Sequence, residues 1–182
     1  WRDLATHWSI YDQTTLWEEA WITRWIRREY AGHGEIVEMG TLVGASTSAI
    51  GRGLRRTKHR RARVVVYDAF DWRYVEPDGP LAVLRDQGLS FREIYDQRIS
   101  SSRPRNLTVN MGDLRHMGWE QQPIEFLFVD IAKTWDIWNH VRATWLPALV
   151  VNGVIAQQDW AHSLGPWLHL WHHRWRDHFE PL

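Results

Sequence analysis

Five short apolar runs, separated by stretches of helical periodicity, constrain the fold of this chain more than any other feature. Val64-Val-Val-Tyr67 and Ile124-Glu-Phe-Leu-Phe-Val129 are nearly continuous, the pattern of strands buried on both faces of a parallel sheet. Glu35 to Met39, Leu107 to Met111 and Gly153-Val-Ile-Ala156 complete the set. Strands alternating with helices predict an α/β fold, a doubly wound, mostly parallel sheet with helices on both faces.

The helices have their own signals. Thr15-Leu-Trp-Glu18 has the form of a capping box, and Trp17, Ala20, Trp21 and Trp25 follow at helical spacing. A helix from about Leu16 to Tyr30 is expected, with that tryptophan stripe as its core face. A second helix from about Ser46 to Arg56 ends in the basic run Arg55 to Arg61, read as a solvated helix end. Phe70 to Ser102 reads as a long polar insertion with helical patches at Leu81 to Arg85 and Phe91 to Ile99. Helices are also expected at Trp135 to Leu146 and Pro166 to His178, the latter burying Trp167, Leu170, Trp171 and Trp175 and turning His169, His172 and His173 to solvent.

At 182 residues the chain fits one domain: a helical segment over 1–33, a core over 34–160 and a closing helix over 161–182. Formal net charge is zero, so the total gives no electrostatic case for nucleic acid or an anionic membrane. With no cysteine there are no disulfides, thiolate metal sites or cysteine nucleophile. No apolar run approaches the ~20 residues of a membrane helix, and a soluble, cytoplasmic domain is the default expectation. The start at Trp1 suggests part of a larger polypeptide, and a homodimer is the other assembly expected. Of the 22 basic residues only Lys58 and Lys133 are lysines, which singles each of them out.

The most informative local stretch is Glu35-Ile-Val-Glu-Met-Gly-Thr-Leu-Val-Gly-Ala-Ser-Thr47, a strand running into a glycine turn and a helix start. Gly40 and Gly44 let the backbone turn tightly and approach a ligand, and Ser46 and Thr47 are positioned to cap the next helix. The stretch lacks the Gly-Lys-Ser/Thr ending of a phosphate loop and the three glycines of a dinucleotide fingerprint. An ordinary strand-to-helix turn remains the plain alternative. Later strands repeat the pattern, closing on Asp68, on Gly112 with Asp113, and on Asp130. In an open α/β sheet, ligands bind outside those carboxyl ends.

The order acidic-x-Gly-x-x-x-Gly-x-Ser, from Glu38 to Ser46, resembles the first motif of class I S-adenosylmethionine-dependent methyltransferases. The resemblance runs from about Gly34 to Trp160 and implies a Rossmann-like fold. It places Glu38, Gly40, Thr41, Gly44 and Ser46 at the amino-acid end of S-adenosylmethionine, whose ammonium needs an acid and whose carboxylate needs donors. It places Asp68 at the ribose, Gly112 and Asp113 at the adenine, and Asp130 beside the cofactor. Such enzymes close with an antiparallel strand pair, for which Phe179 to Leu182 supplies at most a beginning, so that hairpin is expected to be missing or supplied elsewhere.

Within the class, Phe128-Val-Asp-Ile-Ala-Lys133 resembles the Phe-Val-Asp-x-x-Lys pattern of the divalent-metal-dependent catechol and caffeoyl-coenzyme A O-methyltransferases. Bacterial sugar O-methyltransferases share a similar first motif. The resemblance implies methyl transfer to a hydroxyl of a small molecule, phenolic or sugar, with Asp130, Asp159 and Gln158 holding a divalent cation, magnesium first, and Lys133 as general base. Gln158-Asp159 stands where that group has Asp-Asn, a neutral carbonyl replacing an anionic oxygen. A phenol with a free pKa near ~10 is ionised in only about one molecule in a thousand at neutral pH, so a cation and a base have work to do. Lys133 serves as base only if its pKa is depressed. Trp72, Trp135, Trp138 and Trp160 are candidates to stack on an acceptor or to fill core and lid. The rival readings are a non-catalytic cofactor-binding domain of a larger polypeptide and a nicotinamide-dependent sugar-modifying enzyme.

Overall fold

The computed structural model describes residues 13–161 and 165–182. In chain order the elements are α1 (Leu16–Arg28), β1 (Glu35–Met39), α2 (Ala45–Leu54), β2 (Arg63–Asp68), α3 (Ala82–Asp86), α4 (Phe91–Ile99), β3 (Asn106–Met111), β4 (Ile124–Val129), α5 (Trp135–Thr144), β5 (Leu149–Gln157) and α6 (Pro166–Trp175). The strands form one sheet in the order β3-β2-β1-β4-β5, every neighbouring pair parallel. This is the Rossmann-like doubly wound arrangement expected. Among the described residues no strand follows β5. No helix among them is long and apolar enough to cross a membrane.

Alternation along the strands splits the core in two. Val37, Met39, Val65, Tyr67, Leu127 and Val129 face one side, where Trp138, Val141 and Trp145 of the α5 region and Leu168 of α6 cover them. Ile36, Val64, Val66, Phe126 and Phe128 face the other, under Ile22 and Ile26 of α1 and Ala49, Ile50 and Leu54 of α2. Glu125 on β4 is buried, and its carboxylate accepts hydrogen bonds from the backbone N–H groups of Ala31, His33 and Gly34, fixing the α1–β1 loop.

Three expectations need correction. The capping box at Thr15 and Glu18 is present, but α1 turns Glu19, Ile22 and Ile26 inward. Trp21 and Trp25 are partly buried and pack on that core as expected, their rings against Phe126, whereas Trp17 is 87% exposed. The isoleucine pair sets the inward face, and the buried Glu19 is neutralised there by Arg52. Phe70 to Ser102 is no polar insertion. It is the β2–β3 crossover, and its scattered Phe70, Leu81, Leu84, Phe91, Ile94 and Ile99 gather with Val43 into a third apolar cluster. In α6 the fully buried residue is Leu168, with Trp167 and Trp171 partly buried, while Leu170 is 67% exposed and Trp175 also faces outward. His172 consequently turns partly inward to Gln157 Oε1 at 3.0 Å, whereas His169 and His173 are exposed as expected.

Candidate functional site

The carboxyl ends of the four adjacent strands are stitched together beyond their regular ladders. Gly40 N–H donates to Tyr67 O (2.9 Å), Asp130 N–H to Met39 O (2.8 Å) and Gly112 N–H to Asp68 O (3.0 Å). Glycine turn, Asp68, Gly112 and Asp130 therefore stand side by side along one end of the sheet. Gly40 has a φ of +78°, and a Cβ there would lie 2.4 Å from Asp130 O. Gly44, at φ +91°, would strike Ile99 and Tyr95 in the same way. Both positions demand glycine on conformation and on space.

Glu38 has no exposed surface. Its two carboxylate oxygens accept hydrogen bonds from Ser46 Oγ (2.5 Å) and Thr47 Oγ1 (2.6 Å), and Thr41 Oγ1 lies 2.8 Å from Thr47 Oγ1. Burial pushes its pKa up to about 7 against the pull of those hydroxyls. Ser46 and Thr47 accordingly do not cap α2, as their position suggested. The N-cap is Gly44, without a side-chain bond, and the hydroxyls turn inward because an unpaired buried carboxylate would cost far more than an unmade cap. Glu38 thus acts from beneath the turn rather than on its surface.

Asp68 is bound to the turn as well. Oδ2 accepts from Thr41 N–H (2.8 Å) and Leu42 N–H (3.0 Å), and Oδ1 from Phe70 N–H (2.7 Å). Leu42 and Phe70 both have positive φ, +48° and +47°, which non-glycine residues adopt only where something holds them. Here one carboxylate holds both. Burial raises the Asp68 pKa although the three N–H donors oppose it. Gly112 (φ +141°) leads into Asp113, whose carboxylate caps the 3-10 turn Leu114–His116 and grips Arg115. Those hydrogen bonds bring Asp113 down to about 2.

At the end of β4, Lys133 Nζ donates to Asp130 Oδ1 at 2.9 Å and to Asp159 Oδ1, 26 residues further on. Burial pushes Asp130 up to about 6, relieved in part by the lysine. Burial also acts to lower the Lys133 pKa, but the two carboxylates outweigh it and the pKa is raised. The condition set for Lys133 as a base, a depressed pKa, is therefore not met, because its neighbours are anions. Gln158 is turned away, its Nε2 donating to Gln13 O at 3.2 Å. No divalent ion fits this donor set as arranged: one expected ligand points elsewhere and the lysine ammonium lies between the other two. Among the described residues no group of three His, Cys, Asp or Glu could hold a metal. His162, named with the C-terminal histidines, lies outside the described residues.

The tryptophans divide. Trp138 is core, Trp72 stacks on Phe91 at 4.7 Å, and Trp135 and Trp160 remain 49% and 40% exposed. Two features escaped the sequence. Asp159 Oδ2 is buried without a hydrogen-bond partner. A groove of about 450 Å³ runs over β2 and β3, lined by Tyr67, Thr108, Asn110, Met111, Met117 and Trp119. Residues 117–120 of the β3–β4 connection, whose only element is the 3-10 turn Leu114–His116, form one wall. The lack of helical periodicity over 112–123 was the available signal.

No protein-family model matches the chain, and no curated protein does. Solved structures do. CalS11, a TDP-rhamnose 3'-O-methyltransferase of calicheamicin biosynthesis, aligns over 95% of this chain and 76% of its own at 18% identity and a TM-score of 0.60. A second CalS11 structure gives 0.61. The O-methyltransferase NovP aligns over 92% of this chain and 74% of its own at 14% identity and a TM-score of 0.68. At such identities the likeness is one of fold, the fold in which these O-methyltransferases are built.

Proposed function

We propose that the chain binds S-adenosylmethionine along the carboxyl ends of β1 to β4 and transfers its methyl group to a hydroxyl oxygen of a small molecule. One observation carries the reading: the Glu38–Ser46 turn, Asp68, Gly112–Asp113 and Asp130 stand adjacent, in family order, on one end of a sheet shared with O-methyltransferase structures. The glycine turn would receive the amino-acid end, Asp68 the ribose and the Gly112–Asp113 corner the adenine. Thr41 and Ser46 shape the turn, and Glu38 fixes it from below. The acceptor favoured is a sugar hydroxyl, because CalS11 is a TDP-rhamnose methyltransferase.

In such a transfer the acceptor oxygen forms a bond to the methyl carbon, the carbon–sulfur bond breaks with its electron pair going to sulfur, which becomes a neutral thioether, and the hydroxyl proton passes to solvent water. Aligning donor and acceptor in line is the larger share of the work, roughly 7 to 11 kcal/mol. The fixed turn would hold the methyl donor's half of that alignment. Calorimetry with S-adenosylmethionine is the test, with micromolar binding expected for the wild type and none for Asp68→Ala. A wild type that ignores S-adenosylmethionine but binds NAD would overturn the reading. The turned-away Gln158 also suits a domain that binds the cofactor without transferring it. Turnover on a panel of nucleotide sugars and phenols separates the two.

A further inference from the structure

We propose that the Lys133 ammonium is the resident cation of this site, holding Asp130 and Asp159 together where a divalent ion would otherwise sit. The inference rests on the methyltransferase reading for its meaning and on the ion-pair geometry for its support. Asp130 and Asp159 are nearly buried, with side chains 11% and 6% exposed. They come from the ends of the adjacent strands β4 and β5, and Lys133 donates to one oxygen of each. Two neighbouring buried carboxylates, unless they share a proton, need a positive charge between them. The chain provides one covalently.

The residue type fits that task. Arginine fills 20 of the 22 basic positions, yet here a lysine is used. Its compact ammonium has three rotatable donors and can lie between two single oxygens, whereas a planar guanidinium fork presents paired donors to one carboxylate. A divalent ion arriving beside the ammonium would meet like charge at contact distance. The hydrogen bond that Gln158 makes to Gln13 instead agrees with a site built around the lysine. Removing the ammonium would leave both carboxylates uncompensated and convert the site into one that seeks a cation.

Mn2+ titration followed by electron paramagnetic resonance tests this on wild type, Lys133→Ala and Lys133→Met, with folding checked by circular dichroism. Expected are no wild-type binding below millimolar Mn2+ and tightening by about a hundredfold or more in both lysine variants. Lys133→Met keeps the stem and guards against a folding defect in the alanine variant. Adding Asp159→Asn to either variant should abolish the gain. Micromolar Mn2+ binding by the wild type, or folded lysine variants that bind no better than it does, overturns the proposal. Neither result bears on S-adenosylmethionine binding, which calorimetry reads separately.

Discussion

Replacing Glu38 by glutamine should change stability by an amount that shifts in the variant's favour as pH rises and then levels off. The carboxyl is fully buried, and burial moves its pKa from 4.5 to about 7. Between those values the folded protein keeps a proton that the unfolded chain has released, so its contribution to stability falls as pH rises through that window and is level above it. The difference is worth about 3 kcal/mol once Glu38 is ionised in both states. Glutamine has nearly the same shape and never ionises, so exchange of the hydroxyl for an amide beneath Ser46 and Thr47 adds an offset equal at every pH. Urea unfolding at about pH 5, 6, 7 and 8, followed by tryptophan fluorescence, gives variant minus wild type at each pH. The difference should climb by roughly 2 to 3 kcal/mol across the series and level off. A difference flat in pH, or one that falls, would refute the reasoning, because it would mean that Glu38 is not held in the folded state with a raised pKa.

Other expectations follow from particular contacts. Gly40→Ala, placing a methyl 2.4 Å from Asp130 O at a φ of +78°, should cost about 2 kcal/mol or more and weaken S-adenosylmethionine binding, measurable by thermal melting and calorimetry. Trp138→Ala, at a fully buried position, should lose about 3 to 5 kcal/mol, while Trp17→Ala should stay within about 0.5 kcal/mol; equal losses in denaturant titrations would contradict the placement of α1. Glu125→Gln exchanges one of two oxygens that together accept three backbone N–H bonds for a donor, and should cost roughly 1 to 3 kcal/mol with faster amide exchange at Ala31, His33 and Gly34.

The strands were legible because a strand buried on both faces leaves an uninterrupted apolar run, as Val64 to Tyr67 does, and their acid endings marked which end of the sheet carries the candidate site. What stayed hidden depends on partners distant in sequence. Lys133 and Asp159 are 26 residues apart and meet only because β4 and β5 lie side by side, so the charge state of the lysine could not be read from Asp130 alone. Leu42 and Phe70 carry no mark of their positive φ, since it is imposed by the Asp68 carboxylate rather than by their own side chains. Trp17 misled because a tryptophan at helical spacing reads as core, whereas the narrower isoleucine pair at 22 and 26 faces inward.

The strand order also sets a timetable for assembly. The middle of the sheet joins Glu35 to Ile124 and Ile36 to Phe126, whereas β2 meets β1 by pairing Val64 with Ile36. The β1–β2 and β2–β3 pairs close loops around a single crossover each, whereas the β1–β4 pair closes a loop that contains that whole half. Closing the larger loop adds little to the equilibrium cost, since loop entropy grows only with the logarithm of length, yet it delays the encounter. The half from β1 to β3 and the β4–β5 pair, which also closes a short loop, are thus expected to form before the β1–β4 joint. The row of acids along the sheet becomes a single surface only at the last joining step, when β4 brings Asp130 beside the glycine turn.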